Sequence, residues 1–174
     1  MKKLGLMLVF AAVTGFAGTA SAELGSEGQF AISSDATVDI EHHWYDDELK
    51  TTGFALHPAF DYFVMDYLSV GGSVTLAWAK TSWHGKGEGK TGFGIAPRVG
   101  YAFPIADDIS FWPKVGIDIF FFDGDSTIEL GVFAPFTYSI TDSFFVGLGP
   151  SFGTMLSGDK DTGIGLNSVI GGNF

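Results

Sequence analysis

The chain contains no cysteine, so disulfides and thiolate metal sites are excluded and stability has to come from elsewhere. Basic residues are scarce: 9 Lys and Arg stand against 20 Asp and Glu in 174 residues. A formal charge of −11 without a basic cluster argues against a nucleic-acid partner, because phosphate backbones are held by gathered Lys and Arg. Past residue 22 there is no apolar run of the roughly 18 residues that a transmembrane helix needs. Helical periodicity is missing too.

The first residues have a layout of their own. "MKK" is a short basic head, "LGLMLVFAAVTGFAG" an apolar run, and "TASA" places small residues at Ala20 and Ala22. These are the parts of a secretory signal peptide over residues 1–22, cleaved after Ala22. An uncleaved membrane anchor fits less well, since the run is short, rich in Ala and Gly, and followed by a cleavage site. Residues 23–174 then form one domain, and losing Lys2 and Lys3 takes the formal charge to −13.

What the domain does have is glycine (25), aromatics (16%) and alternation broken by Gly, Asp, Asn and Ser clusters. The pattern predicts strands over Gly28–His42, Thr51–Val64, Leu68–Ser82, Thr91–Phe103, Ser110–Phe121, Thr127–Tyr138, Phe144–Leu156 and Gly163–Phe174. Along the fourth, Phe93, Ile95, Pro97, Val99, Tyr101 and Phe103 share one face. Gly92, Gly94, Ala96, Arg98, Gly100 and Ala102 share the other. A soluble sandwich would put charged residues opposite its bulky apolar ones. Small residues there suit the narrow inside of a small barrel whose aliphatics and aromatics face lipid.

The connections alternate in kind. "VMDYLSV", "PIADDISF" and "SITDSFFV" are tight and alike, each with an Asp ahead of an apolar or aromatic restart. "HWYDDELK", "WHGKGEGK", "DGDS" and "GDKDTG" are polar. Three of one sort and four of the other is the count for an all-β, eight-stranded antiparallel up-and-down transmembrane β-barrel. Aromatics gather where interfacial girdles belong. Tyr62, Tyr67, Phe103, Phe111, Phe144 and Phe174 lie towards the tight-turn end, and Trp44, Tyr45, Trp78 and Trp83 towards the other. Pro58, Pro97, Pro113, Pro135 and Pro150 fall inside these strands, where each removes a ladder donor; bulges or rim positions are expected there.

Taken together, "APRVGYAFPIADDISFWPKVGI" (96–117), "SFFVGLGPSFGTML" (143–156) and the terminal "GLNSVIGGNF" resemble the small bacterial outer-membrane β-barrels of the OmpX type and the membrane part of OmpA. The resemblance implies an outer-membrane location among lipid and lipopolysaccharide, and insertion by the barrel-assembly machinery. That machinery recognises a closing strand ending in an aromatic, which assigns Phe174 as an assembly signal. The likeness to OmpA stops at the barrel.

Alternation sends Asp35, Asp39, Glu41, His57, Asp61, Arg98, Lys114, Asp118 and Glu129 into the lumen. An eight-stranded barrel is filled by its own side chains, so these form a structural polar core in which Arg98 and Lys114 neutralise carboxylates. The competing reading is a narrow cation path or a proton-sensitive plug at His57. Asp46, Asp47, Glu48, Asp123, Asp125, Asp159 and Asp161 lie in connections. Asp123-Gly-Asp125-Ser126 begins like a calcium loop but lacks the later ligands, so no metal is assigned. Diffuse bridging of these acids to lipopolysaccharide phosphates through divalent ions is an intermediate reading. Some barrels of this kind modify lipid A, and Ser82 with His84, or Asp125-Ser126 with His42 or His43, are the candidate groups. No nucleophile motif accompanies them. The expectation is a monomeric structural or surface-interaction protein with no open pore, no catalysis and no cofactor.

Overall fold

The computed structural model describes residues 24–34, 41–45, 49–83, 86–157 and 161–174. Its strands are β1 (Phe30–Ser34), β2 (Glu41–Tyr45), β3 (Leu49–Leu56), β4 (Pro58–Met65), β5 (Leu68–Trp83), β6 (Lys86–Tyr101), β7 (Phe103–Ala106), β8 (Ile109–Phe111), β9 (Lys114–Phe122), β10 (Asp125–Phe133), β11 (Phe136–Thr141), β12 (Phe144–Met155) and β13 (Thr162–Asn173). They make eight staves, since β1 with β2, β3 with β4, β6 with β7, β8 with β9, and β10 with β11 each share one. Every neighbouring pair is antiparallel and the sheet closes into a barrel. At the seam, Ala31 to Ser34 pair with Asn173 to Ile170. The Phe30 and Phe174 amides and carbonyls then exchange two hydrogen bonds, at 2.9 and 2.8 Å. Closure pairs the first stave with the last, so neither is left as a sheet edge.

Three of the breaks along the staves lie at prolines. β4 starts at Pro58, β9 directly after Pro113 and β11 directly after Pro135. A missing N–H and a restricted preceding residue interrupt the ladder at each point. Register is nevertheless kept: Phe133 pairs with Ser151 and Phe136 with Leu148, on either side of Ala134-Pro135. The proline carbonyls still accept, from Tyr101 to Pro113, Trp112 to Pro135 and Ala134 to Pro150. Pro97 stays within β6, and the β6–β9 ladder resumes at Arg98 opposite Gly116. The prolines therefore make in-line gaps, not the bulges or rim positions expected of them. The register shifts occur away from these five prolines, at Phe63/Met65, Pro104/Ala106 and Ser139/Thr141, so that of the prolines only Pro104 adjoins one. Each immediately precedes one of the three tight turns, whose similar sequences thus share a similar backbone.

Two polar connections are shorter than their composition predicts. The β5–β6 ladder runs on to Trp83 opposite Lys86, and β2–β3 to Tyr45 opposite Leu49. "DGDS" is a two-residue hairpin turn in which Asp123 and Gly124 have φ of 56° and 92°. Positive φ at both central residues is the arrangement Asp-Gly favours, because it matches the right-handed twist of the strands. The resemblance of this stretch to a calcium loop ends there: the Asp123 carboxylate pairs with Lys90.

The faces sort as alternation predicts. Phe93, Ile95, Val99, Tyr101, Val115, Ile117, Leu148 and Leu166 are among the large apolar side chains exposed on the outside. Round the tight-turn end the rings meet in sequence, Tyr67 with Tyr101, Tyr101 with Phe103, Phe103 with Phe111 and Phe111 with Phe136. Apolar surface this continuous is unlike the outside of a water-soluble barrel, which carries charged residues opposite its core face.

Candidate functional site in the barrel lumen

The lumen is not uniformly lined by small residues. At the tight-turn end Phe63, Trp112 and Phe145 point inward and are fully buried, packed with Leu24, Ala31, Ala102 and Val169. Trp112 stacks on Phe63 at 5.5 Å and meets Phe145 edge-on at 6.0 Å. Its indole N–H donates to Ser69 Oγ at 3.1 Å, so the one polar atom of the plug is satisfied. Gly100 on the neighbouring stave makes room, since a Cβ there would stand 2.8 Å from that indole nitrogen. The leading residues fold across the same mouth. Leu24 enters the cluster, Tyr67 N–H donates to the Gly25 carbonyl, and Gly28 N–H donates to the Phe63 carbonyl. Burial of each ring contributes about 3 kcal/mol.

Directly beyond the plug lies an ion cluster. Asp61 is fully buried on β4 and accepts from Arg98 Nε at 3.0 Å and Nη2 at 2.5 Å, a bidentate pair. Lys114 Nζ stands 3.8 Å from the same carboxylate and 3.9 Å above the Trp112 ring. The side chains of Arg98 and Lys114 are 8% and 2% exposed, so these charges interact where water screens them little. Gly71 and Gly116 provide the clearance: a Cβ at Gly71 would stand 2.7 Å from Asp61, and one at Gly116 2.9 Å from the Arg98 side chain.

Above this layer the lumen widens into a cavity of about 440 Å³, bordered by His57, Arg98, Lys114, Asp118, Glu129 and Asn167 among others. His57 Nδ1 lies 3.0 Å from Thr75 Oγ1. Asp118 and Glu129 are directly opposite each other in the β9–β10 ladder. Glycines on the next staves give their carboxylates space, Asp118 over Gly131 and Glu129 over Gly153. The barrel is thus stratified into an apolar stopper, an ion layer and an acidic cavity.

The chain has the fold of a solved β-barrel domain. It is similar to the N-terminal β-barrel domain of Pseudomonas aeruginosa OprF, with a TM-score of 0.53 and 12% sequence identity, over 85% of this chain and 98% of that one. At that identity the likeness concerns the fold alone. No family model matches the sequence, and no curated protein does.

Six of the nine residues predicted to face the lumen, His57, Asp61, Arg98, Lys114, Asp118 and Glu129, border the cavity or the ion layer. Asp35 and Asp39 lie outside the described residues, as does the side chain of Glu41. Asp61, Arg98 and Lys114 are in contact with one another, and His57 is tied to Thr75. Phe174 continues the seam through its backbone and is partly buried. Of the loop acids, Asp46, Asp47, Glu48 and Asp159 lie outside the described residues, while Asp161 accepts from the Thr162 amide at 2.8 Å. Among the described residues no three His, Asp or Glu are grouped as metal ligands. His84 and the side chains of His42, His43 and Ser82 fall outside them, and Asp125-Ser126 is exposed at a hairpin. The aromatic plug is what sequence reasoning missed. Its signal was present in the parity of Trp112 with Lys114 and Asp118, once the stave is read through Pro113.

Proposed function

We propose that the chain is an integral protein of a bacterial outer membrane, a monomeric barrel of the small OmpX and OmpA-membrane-part type. In this reading residues 1–22 are the export signal, and the protein has a structural or surface-interaction role without catalysis or open conduction. The observation that carries it is the pairing of an apolar outer belt with a lumen stopped by Phe63, Trp112, Phe145 and Leu24. A belt of that kind needs lipid, and a stopper of stacked rings leaves no water path for ions. The Asp61–Arg98–Lys114 layer serves as a polar core that fixes the staves. Acids in the outer half face water in the cavity.

The mature chain is expected to refold in detergent, to migrate differently on gels before and after heating, and to remain silent in planar bilayers. A chain folded and soluble without detergent overturns the membrane reading. Cation-selective steps in the bilayer overturn the closed lumen and favour the narrow cation path through Asp118 and Glu129. Lipid A from cells with and without the protein should give identical mass spectra; a difference overturns the non-catalytic reading.

A further inference from the structure

Among the described residues, charge and shape converge on the outer surface at β5. Trp78 and Lys80 follow each other on the outward face of β5, and Phe54 on β3 pairs directly with Trp78. The rings of Phe54 and Trp78 stack at 5.9 Å. Beside them a groove of about 490 Å³ is lined by Phe54, Leu56, Leu76, Ala77, Trp78 and Thr91. Gly89 on β6 is directly opposite Lys80, and a Cβ there would stand 2.8 Å from the Trp78 indole nitrogen. The indole therefore lies across the bare backbone of Gly89, next to Lys80 in the ladder.

Position along the barrel decides what this surface meets. Ten residues separate Leu68, next to the aromatic ring at the tight-turn end, from Trp78. At about 3.3 Å per residue and a tilt of about 40°, that is about 25 Å along the axis, the height of the apolar band. Trp78 marks the far edge of the band and Lys80 stands about 5 Å beyond it, at the depth of lipid phosphates. Neither the Lys80 ammonium nor the Trp78 N–H has a partner among the described residues. Arg98 and Lys114 face inward, and Lys90 pairs with Asp123. Lys80 is thus the outward cation among the described side chains, on a chain that is otherwise strongly acidic.

We propose that Lys80, the Trp78 N–H and the Phe54–Leu76–Trp78 groove bind one anionic, phosphate-bearing membrane lipid, its phosphate on the two donors and an acyl chain in the groove. The proposal rests on the outer-membrane reading. Charge complementarity selects this occupant: an anionic headgroup meets the ammonium at phosphate depth while its acyl chain fills the apolar groove beside it.

Native mass spectrometry of the detergent-folded mature chain, stripped of lipid and offered phosphatidylglycerol or phosphatidylcholine with identical chains, tests it. The wild type should retain one phosphatidylglycerol at least fivefold better than phosphatidylcholine. Lys80→Gln should bring the two to parity, Lys80→Arg should keep the preference, and Trp78→Phe should fall between. Equal retention by the wild type, an unchanged preference in Lys80→Gln, or a dimer in place of the lipid adduct overturns the site. Failure of every variant and the wild type to fold in detergent overturns the membrane reading itself, and the site with it.

Discussion

Replacing Asp61 with Asn asks how much the buried ion layer depends on the Asp61 carboxylate. The change keeps the shape of the side chain and removes the charge that Arg98 and Lys114 share. Two desolvated cations then face each other across a neutral amide. Breaking a buried pair by removing one partner costs about 3–5 kcal/mol, because the orphaned charge stays buried. Asp61 is fully buried and holds Arg98 through both carboxylate oxygens, which places Asp61→Asn in the upper half of that range. Lys114→Met is different in kind: it leaves the Asp61–Arg98 pair intact and sets an apolar chain against Trp112 and Phe133. Its cost should stay within about 1 kcal/mol, since an apolar replacement spares an ammonium its desolvation. The double variant Asp61→Asn/Arg98→Met should be less damaging than Asp61→Asn alone, because it withdraws one of the buried cations whose shared carboxylate is gone. Urea unfolding of the barrel in lipid vesicles, followed by tryptophan fluorescence and by heat-dependent gel mobility, measures all three. If Asp61→Asn costs less than Lys114→Met, or the double variant is worse than the single, the layer is not held as described.

Three further outcomes follow from the geometry. Gly71→Ala should impair folding, since its Cβ would overlap the Phe60 carbonyl and stand 2.7 Å from Asp61 Cα, whereas Gly163→Ala, with nothing within 4 Å, should be neutral; refolding yield in detergent compares them. Gly124→Ala should cost about 1 kcal/mol in the same unfolding assay, because Gly124 sits at φ 92° in a two-residue turn. Phe174→Ala retains both backbone bonds to Phe30, so it should slow insertion in cells while leaving the unfolding midpoint of refolded protein nearly unchanged; equal insertion rates would show that the ring is no assembly signal.

Much of the barrel was legible because a strand's side-chain period is two and a barrel has only two faces. Thr91–Phe103 announced its inner and outer residues without help, and the tight turns gave themselves away by their repeated Asp. The prolines misled for a local reason: lost donors were read as distortions, while neighbouring staves kept the register across the gaps. The plug was missed for a different reason. The predicted strand Ser110–Phe121 put Trp112 on the face of Lys114 and Asp118, but only the polar residues of that face were followed into the lumen, and parity alone does not bring Trp112 together with Phe63 and Phe145.

The sequence by itself determined the class of architecture, the direction each side chain faces and the number of staves, since all three follow from alternation and turn chemistry. Tertiary structure decided which inward residues meet. Asp61, Arg98 and Lys114 lie on three different staves, and their contact depends on stagger between strands far apart in sequence. It also decided that Leu24 closes the mouth with Trp112, and that Trp78 lies across Gly89, next to Lys80 in the ladder. Alternation states whether a residue points in or out, but not its height, and height is set only when the last strand closes on the first.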